Sequence, residues 1–134
     1  MKSLTRVLVA CATAICTFAM LAPPAHAAED PTTYKRVTRA HSGYVYKAGT
    51  AYFQPYGEWL VINDWEADGA GVRVYYMYNY TGWKSKTNTR GSNAGSMEVN
   101  LDYPEGKPFQ FYVCLEDAGL TIPQTCSSSV EVLT

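Results

Sequence analysis

The chain has 134 residues, enough for one compact domain and too few for two. It carries 11 basic and 12 acidic residues, a formal charge of −1. That balance, with no evident basic cluster, excludes nucleic acid from the expected partners.

Lys2 and Arg6 give the chain a positive start, residues 7–22 carry no charge, Pro23-Pro24 breaks any helix, and Ala25-His26-Ala27 is a small-x-small exit. Together these make a secretory signal peptide over residues 1–27, cleaved after Ala27. The apolar stretch is shorter than the roughly 20 residues a membrane span requires. Leu8-Val9-Ala10-Cys11 has the form of a lipobox. Lipidation at Cys11 would leave few apolar residues ahead of it and strand an apolar run in the product. Cys11 and Cys16 are therefore read as leader residues. The expected product is secreted, with no membrane span: residues 28–134, 107 of the 134, with 9 basic against 12 acidic residues once Lys2 and Arg6 have left.

Residues 28–33 read as a flexible tail, and residues 34–134 as one domain. Helical periodicity is nearly absent there; alternation with period two dominates, between Gly, Pro, Asn and Asp punctuation. Residues 34–39, 43–47 and 50–54 are candidate edge strands. Residues 58–63, an apolar and β-branched run, suit a central strand. Asp68-Gly69 supplies turn chemistry before residues 72–80, which place Val72, Val74, Tyr76, Tyr78 and Tyr80 on one face. Residues 85–95 are polar and read as a long loop or a loop with a weak edge strand. Met97, Val99, Leu101 and Tyr103 alternate with polar residues, as do Phe109, Phe111, Val113 and Leu115. Pro104-Glu105-Gly106-Lys107 between them reads as a hairpin turn, so these two segments are expected to pair. Residues 129–133 complete the set. About seven strands at this spacing predict an all-β, single-domain antiparallel β-sandwich, with a small closed β-barrel as the alternative.

Two cysteines remain after the leader, Cys114 and Cys126. In an oxidising compartment such a pair is expected to form a disulfide, and so short a loop contributes about 3 kcal/mol in the chain-entropy view.

The stretch Gly57-Glu58-x-Leu60-x-Ile62-x-Asp64-x-x-Ala67-Asp68-Gly69, and Val113-Cys114-Leu115-x-Asp117 with the later Cys126, resemble small exported proteins of actinomycetes that have no assigned activity. The resemblance implies export and a strand, hairpin, strand order with a Cys-bearing strand near the C-terminus. Members with a second disulfide carry a Cys where this chain has Asn63, so one disulfide is implied here. Actinomycete α-amylase inhibitors are small exported β-sandwiches too, but their Trp-Arg-Tyr tripeptide is missing: the tryptophans here stand in Glu58-Trp59-Leu60, Asp64-Trp65-Glu66 and Gly82-Trp83-Lys84.

Asp64-x-Glu66-x-Asp68-Gly69 has the spacing of the first half of a calcium loop. The position that should supply a bidentate Glu is Tyr75, so Asp64, Glu66 and Asp68 make a weak calcium candidate beside the plainer reading of an acidic hairpin tip. Aromatics are abundant, 17 of the 107 mature residues once Phe18 has left. Most belong to cores and cross-strand pairs. Trp65, Trp83, Tyr75 and Tyr112 fall in turns or off the inferred core face, and flat exposed rings are favoured at contact surfaces. His41, followed by Ser42, is the one mature histidine; without a GxSxG elbow or a free cysteine, a catalytic constellation has little support. Asn79-Tyr80-Thr81 matches a glycosylation acceptor but matters only in a eukaryotic secretory pathway.

The expected function is a secreted, non-catalytic binding or interaction protein that engages an extracellular polysaccharide or protein through exposed aromatics, with no cofactor. A small secreted hydrolase, and an envelope structural protein or toxin, are the alternatives.

Overall fold

The computed structural model describes residues 33–134; the expected leader over residues 1–27, with its expected cleavage after Ala27, and residues 28–32 of the expected tail lie outside the described residues. Nine strands form among the described residues: β1 (Tyr34–Val37), β2 (Gly49–Gln54), β3 (Trp59–Asp64), β4 (Gly71–Tyr78), β5 (Lys84–Asn88), β6 (Met97–Asn100), β7 (Pro108–Asp117), β8 (Leu120–Ile122) and β9 (Val130–Leu133). They make two antiparallel sheets, β1-β2-β3-β6 and β5-β4-β7-β8, with β9 also on β7. The expected sandwich is the architecture, and the barrel is not: neither sheet closes on itself.

Alternation decides which side chains meet. Ala51, Phe53, Leu60 and Ile62 from one sheet face Val72, Val74, Tyr76, Phe109, Phe111, Val113 and Leu115 from the other, all buried in one cluster. At its centre Phe53 stacks on Phe109 with ring centroids 4.0 Å apart, and Phe111 and Tyr76 lie 6.0 Å from Phe109. The sheets approach so closely at Gly49 that a Cβ there would sit 2.6 Å from Val72 Cγ2. A side chain at that position would force the layers apart.

Several local expectations change. Residues 43–47 form turns rather than a strand, with only an isolated bridge between His41 and Tyr44. Ser42 and Lys47 adopt φ of 43° and 65°, which bends the backbone out of an extended path. Residues 97–100 and 108–117 do not pair. β6 joins β3, with Leu60 opposite Val99, while β7 joins β4, with Tyr75 opposite Tyr112. The chain therefore crosses between the sheets at 101–107. Asn100 Oδ1 accepts the Asp102 amide at 2.9 Å and Asp102 takes φ of 49°, a local turn that points the chain across rather than back. Both segments still bury their apolar faces in the shared core. Residues 65–70 likewise connect β3 to β4 across the sheets, so Asp68-Gly69 sits in a crossing arch and not at a hairpin tip.

The tight hairpin lies elsewhere. Ala118 and Gly119, with φ of 48° and 83°, link β7 to β8 in the two-residue loop whose twist matches the strands it joins. Cys114 and Cys126 are bonded. After β8, Thr125 Oγ1 accepts the Leu115 amide at 2.8 Å and Ser127 Oγ accepts the Val113 amide at 3.1 Å. Residues 125–127 thus satisfy the edge of β7 between β8 and β9, and the disulfide holds them there.

Candidate functional site

The four aromatics expected at a contact surface divide between the two outer faces. On β4 and β7, Val72, Val74, Phe109 and Phe111 point inward, so Arg73, Tyr75, Gln110 and Tyr112 point outward. Tyr75 and Tyr112 are directly opposite in register and stack, with centroids 5.0 Å apart, and Trp83 meets Tyr112 edge-on at 5.1 Å. Three of the four are brought together on the five-stranded sheet.

Polar groups lock this cluster. The Tyr75 hydroxyl and the Thr121 hydroxyl are 2.6 Å apart. Arg73 donates to Thr87 Oγ1 and Thr121 Oγ1, each at 3.0 Å, and forms an ion pair with Glu116. The Thr121 hydrogen bond, and more weakly Arg73, pull the Tyr75 phenol below its ordinary value against the opposing effect of burial. Burial, with Tyr75 as a lesser cause, pushes the Tyr112 phenol up. Trp83 alone keeps a large free surface, 47 % exposed.

Trp65 lies on the other side of the molecule. It follows β3, and its indole Nε1 donates to Thr50 Oγ1 of β2 at 2.9 Å. Thr50 and Tyr52 alternate with the core residues Ala51 and Phe53, so this is the outer face of the four-stranded sheet. Trp59 and Val61 share that face, opposite Gln54 and Tyr52 respectively. Trp59 leans over Gly57, where a Cβ would come within 3.2 Å of the indole. Trp65 is 55 % and Trp59 38 % exposed. Trp59 was missed as a candidate because its apolar neighbours Leu60, Val61 and Ile62 make the segment look wholly internal; counting by twos from Leu60 finds it.

The calcium candidates do not act as a shell. Asp64 Oδ1 accepts the Glu66 amide at 3.3 Å and Asp68 Oδ1 the Ala70 amide at 2.9 Å, so both carboxylates brace the arch. Asp64 and Glu66 border a depression of ≈ 480 Å³ with Arg90 and Glu116, from which Asp68 is absent. Among the described residues no group of three His, Cys, Asp or Glu is placed to hold a metal ion. Burial raises the Asp64 carboxyl above its ordinary value; the Glu66 amide opposes this, and nearby Asp68 and Glu66 add to it. His41 Nε2 lies 3.1 Å from the Ser42 hydroxyl, and no carboxylate hydrogen-bonds to the ring among the described residues. Among the described residues the pair therefore has no carboxylate partner of the kind that orients the imidazole in a triad.

Lys35, Arg36 and Arg39 border one cleft of ≈ 330 Å³ beside β1.

The fold and its outer surfaces define a small antiparallel β-sandwich with two aromatic sheet faces. No protein-family model, curated protein or solved structure matches the chain.

Proposed function

We propose that the protein is a secreted, non-catalytic binding protein that engages an extracellular polysaccharide through the outer face of its four-stranded sheet. The observation that carries this reading is the state of the rings. Trp59 and Trp65 are exposed and have no stacking partner among the described residues, whereas Tyr75 and Tyr112 already occupy each other. A free indole face can take the C–H side of a sugar ring, and flat aromatic area serves contact at small entropic cost. The amides of Gln54, Asn63 and Asn100 share this face by register and offer both donors and acceptors to sugar hydroxyls. The single hydrogen bond from Trp65 to Thr50 fixes the ring without covering it.

The test is retention of the full chain on insoluble cellulose and xylan. Trp65→Ala and Trp59→Ala should each weaken retention about tenfold, the scale of 1.4 kcal/mol, with Trp83→Ala unchanged. Undiminished retention of the Trp65 and Trp59 variants, or no retention of the parent, removes the reading. A protein partner would instead show as a complex insensitive to added polysaccharide.

A further inference from the structure

The edge of the four-stranded sheet at β1 carries charge of one sign. Residues 31–57 contain Lys35, Arg36, Arg39 and Lys47 and no Asp or Glu. Lys35, Arg36 and Arg39 border the ≈ 330 Å³ cleft together with Tyr46, Ser127 and Ser128. Among the described residues none of these cations is in an ion pair; Arg73 and Glu116 form the one found there. Arg36 Nε is shielded from water and has no hydrogen-bond partner, while its Nη1 donates to the Lys35 carbonyl at 2.9 Å. A buried guanidinium N–H without an acceptor is unfavourable.

The walls of the cleft are held in place. The Arg39 amide donates to the Thr125 carbonyl at 2.8 Å, tying the end of β1 to the segment that the disulfide anchors on β7. Tyr46 is 59 % exposed, and Lys47 Nζ stands 5.2 Å from the centre of its ring. Arg36, Arg39, Tyr46 and Ser128 thus border one space at the small end of the about 300–1,000 Å³ range of ligand sites.

We propose that this cleft binds one acidic sugar unit of a polysaccharide. Its carboxylate or phosphate would sit between Arg36 and Arg39, with the sugar ring against Tyr46. Guanidinium forks match the oxygens of either anion, and the Tyr46 ring and the Ser128 hydroxyl supply what a bare anion does not need. A nucleic acid strand is disfavoured because its charge continues beyond one unit. The remaining surface carries exposed acids, among them Glu66, Asp68, Glu98 and Glu105, which repel a long polyanion. The cleft does not depend on the tryptophan face, and either can fail alone.

Affinity electrophoresis of the full chain through gels containing polygalacturonate, phosphomannan or neutral dextran, with oligo(dT) as a further probe, tests the proposal. The parent should be retarded by at least one of the two acidic polymers and not by dextran. Arg39→Gln, an exposed position, should weaken that retardation about tenfold, whereas Lys86→Gln, the same charge change on the far edge strand β5, should leave it. Tyr46→Ala should weaken polymer binding severalfold without changing its salt dependence. Failure of both acidic polymers, equal losses from Arg39→Gln and Lys86→Gln, or tighter binding of oligo(dT) than of either polymer overturns it. Loss of cellulose or xylan retention in Trp65→Ala with acidic-polymer binding intact would mark two separate sites.

Discussion

On the outer face of the five-stranded sheet the side chains are committed to one another: Tyr75 stacks on Tyr112, Trp83 abuts Tyr112, Arg73 pairs with Glu116, and Cys114 is bonded to Cys126. On the outer face of the four-stranded sheet, Trp59 and Trp65 lie open with few constraints beyond one hydrogen bond to Thr50. The two faces have similar composition and opposite economies. The first spends its aromatic and charged groups on holding a sheet whose central strand β7 carries β4 on one edge and β8, residues 125–127 and β9 on the other. On the second, Lys35 Nζ stands 5.1 Å over the Tyr52 ring, while Trp59 and Trp65 have no ring partner among the described residues. An abundance of aromatics thus has two meanings, separable only by whether each ring has a partner.

Substitutions break this comparison at different points. The largest effect is expected from Arg73→Ala. It leaves the Glu116 carboxylate buried without its cation, and stability should fall by about 3–5 kcal/mol, the scale of a broken buried pair. Arg73→Ala with Glu116→Gln should recover part of this, as read by urea unfolding. Reduction of the disulfide, or Cys126→Ser with Cys114→Ser, should cost about 3 kcal/mol. At about 4–8 °C per kcal/mol for a domain near this size, the melting temperature should drop by more than about 10 °C in calorimetry with and without reductant. No change would show that residues 125–127 hold their place on β7 unaided.

A pH effect follows, at the edge of the open face. Glu58, at the end of the β2–β3 turn where its carbonyl accepts the Leu101 amide, is buried, with Oε1 lacking a hydrogen-bond partner. Burial raises its carboxyl above the ordinary value, and Glu105, then Asp102, raise it further. The folded state therefore holds a proton that the unfolded chain has released, beginning near the ordinary glutamate value of about 4.3. Stability is greatest below that value and falls as pH rises through the raised folded one. Glu58→Gln removes this decline, so the variant should match the parent at pH 4 and exceed it at pH 7 in denaturant midpoints. A parent that gains stability over the same interval relative to the variant would contradict the assignment. The smallest effect is expected from Trp65→Ala, within about 1 kcal/mol in stability, because its loss opens no core cavity. A larger drop would mean that the open face is structural after all.

Much of the fold is legible from alternation. Val72, Val74 and Tyr76, and Phe109 through Leu115, announce their inward faces by spacing alone, and they form the core as expected. Pairing is less legible. Residues 97–100 and 108–117 each read correctly as strands, yet the Pro104–Lys107 turn signal suggests a hairpin where the chain crosses to the other sheet. Turn residues report that the chain reverses, not which layer receives it. Residues 84–88 lack an apolar period because β5 is an edge strand with little to bury, and the Ala118-Gly119 turn was hidden by the apolar run that precedes it.

The sequence by itself determined the class: an all-β sandwich with period-two burial, and the pairing of Cys114 with Cys126. Period-two burial is a property of neighbours along the chain, and the two bonded cysteines are only 12 positions apart. Tertiary structure alone decided that Tyr75, Tyr112 and Trp83 face one way while Trp65 and Trp59 face the other. It also decided that Lys35, Arg36 and Arg39 border a common cleft with residues some ninety positions later. Registry between strands and the choice of sheet depend on long-range packing of Phe53 against Phe109 and its neighbours. No local pattern encodes those distances.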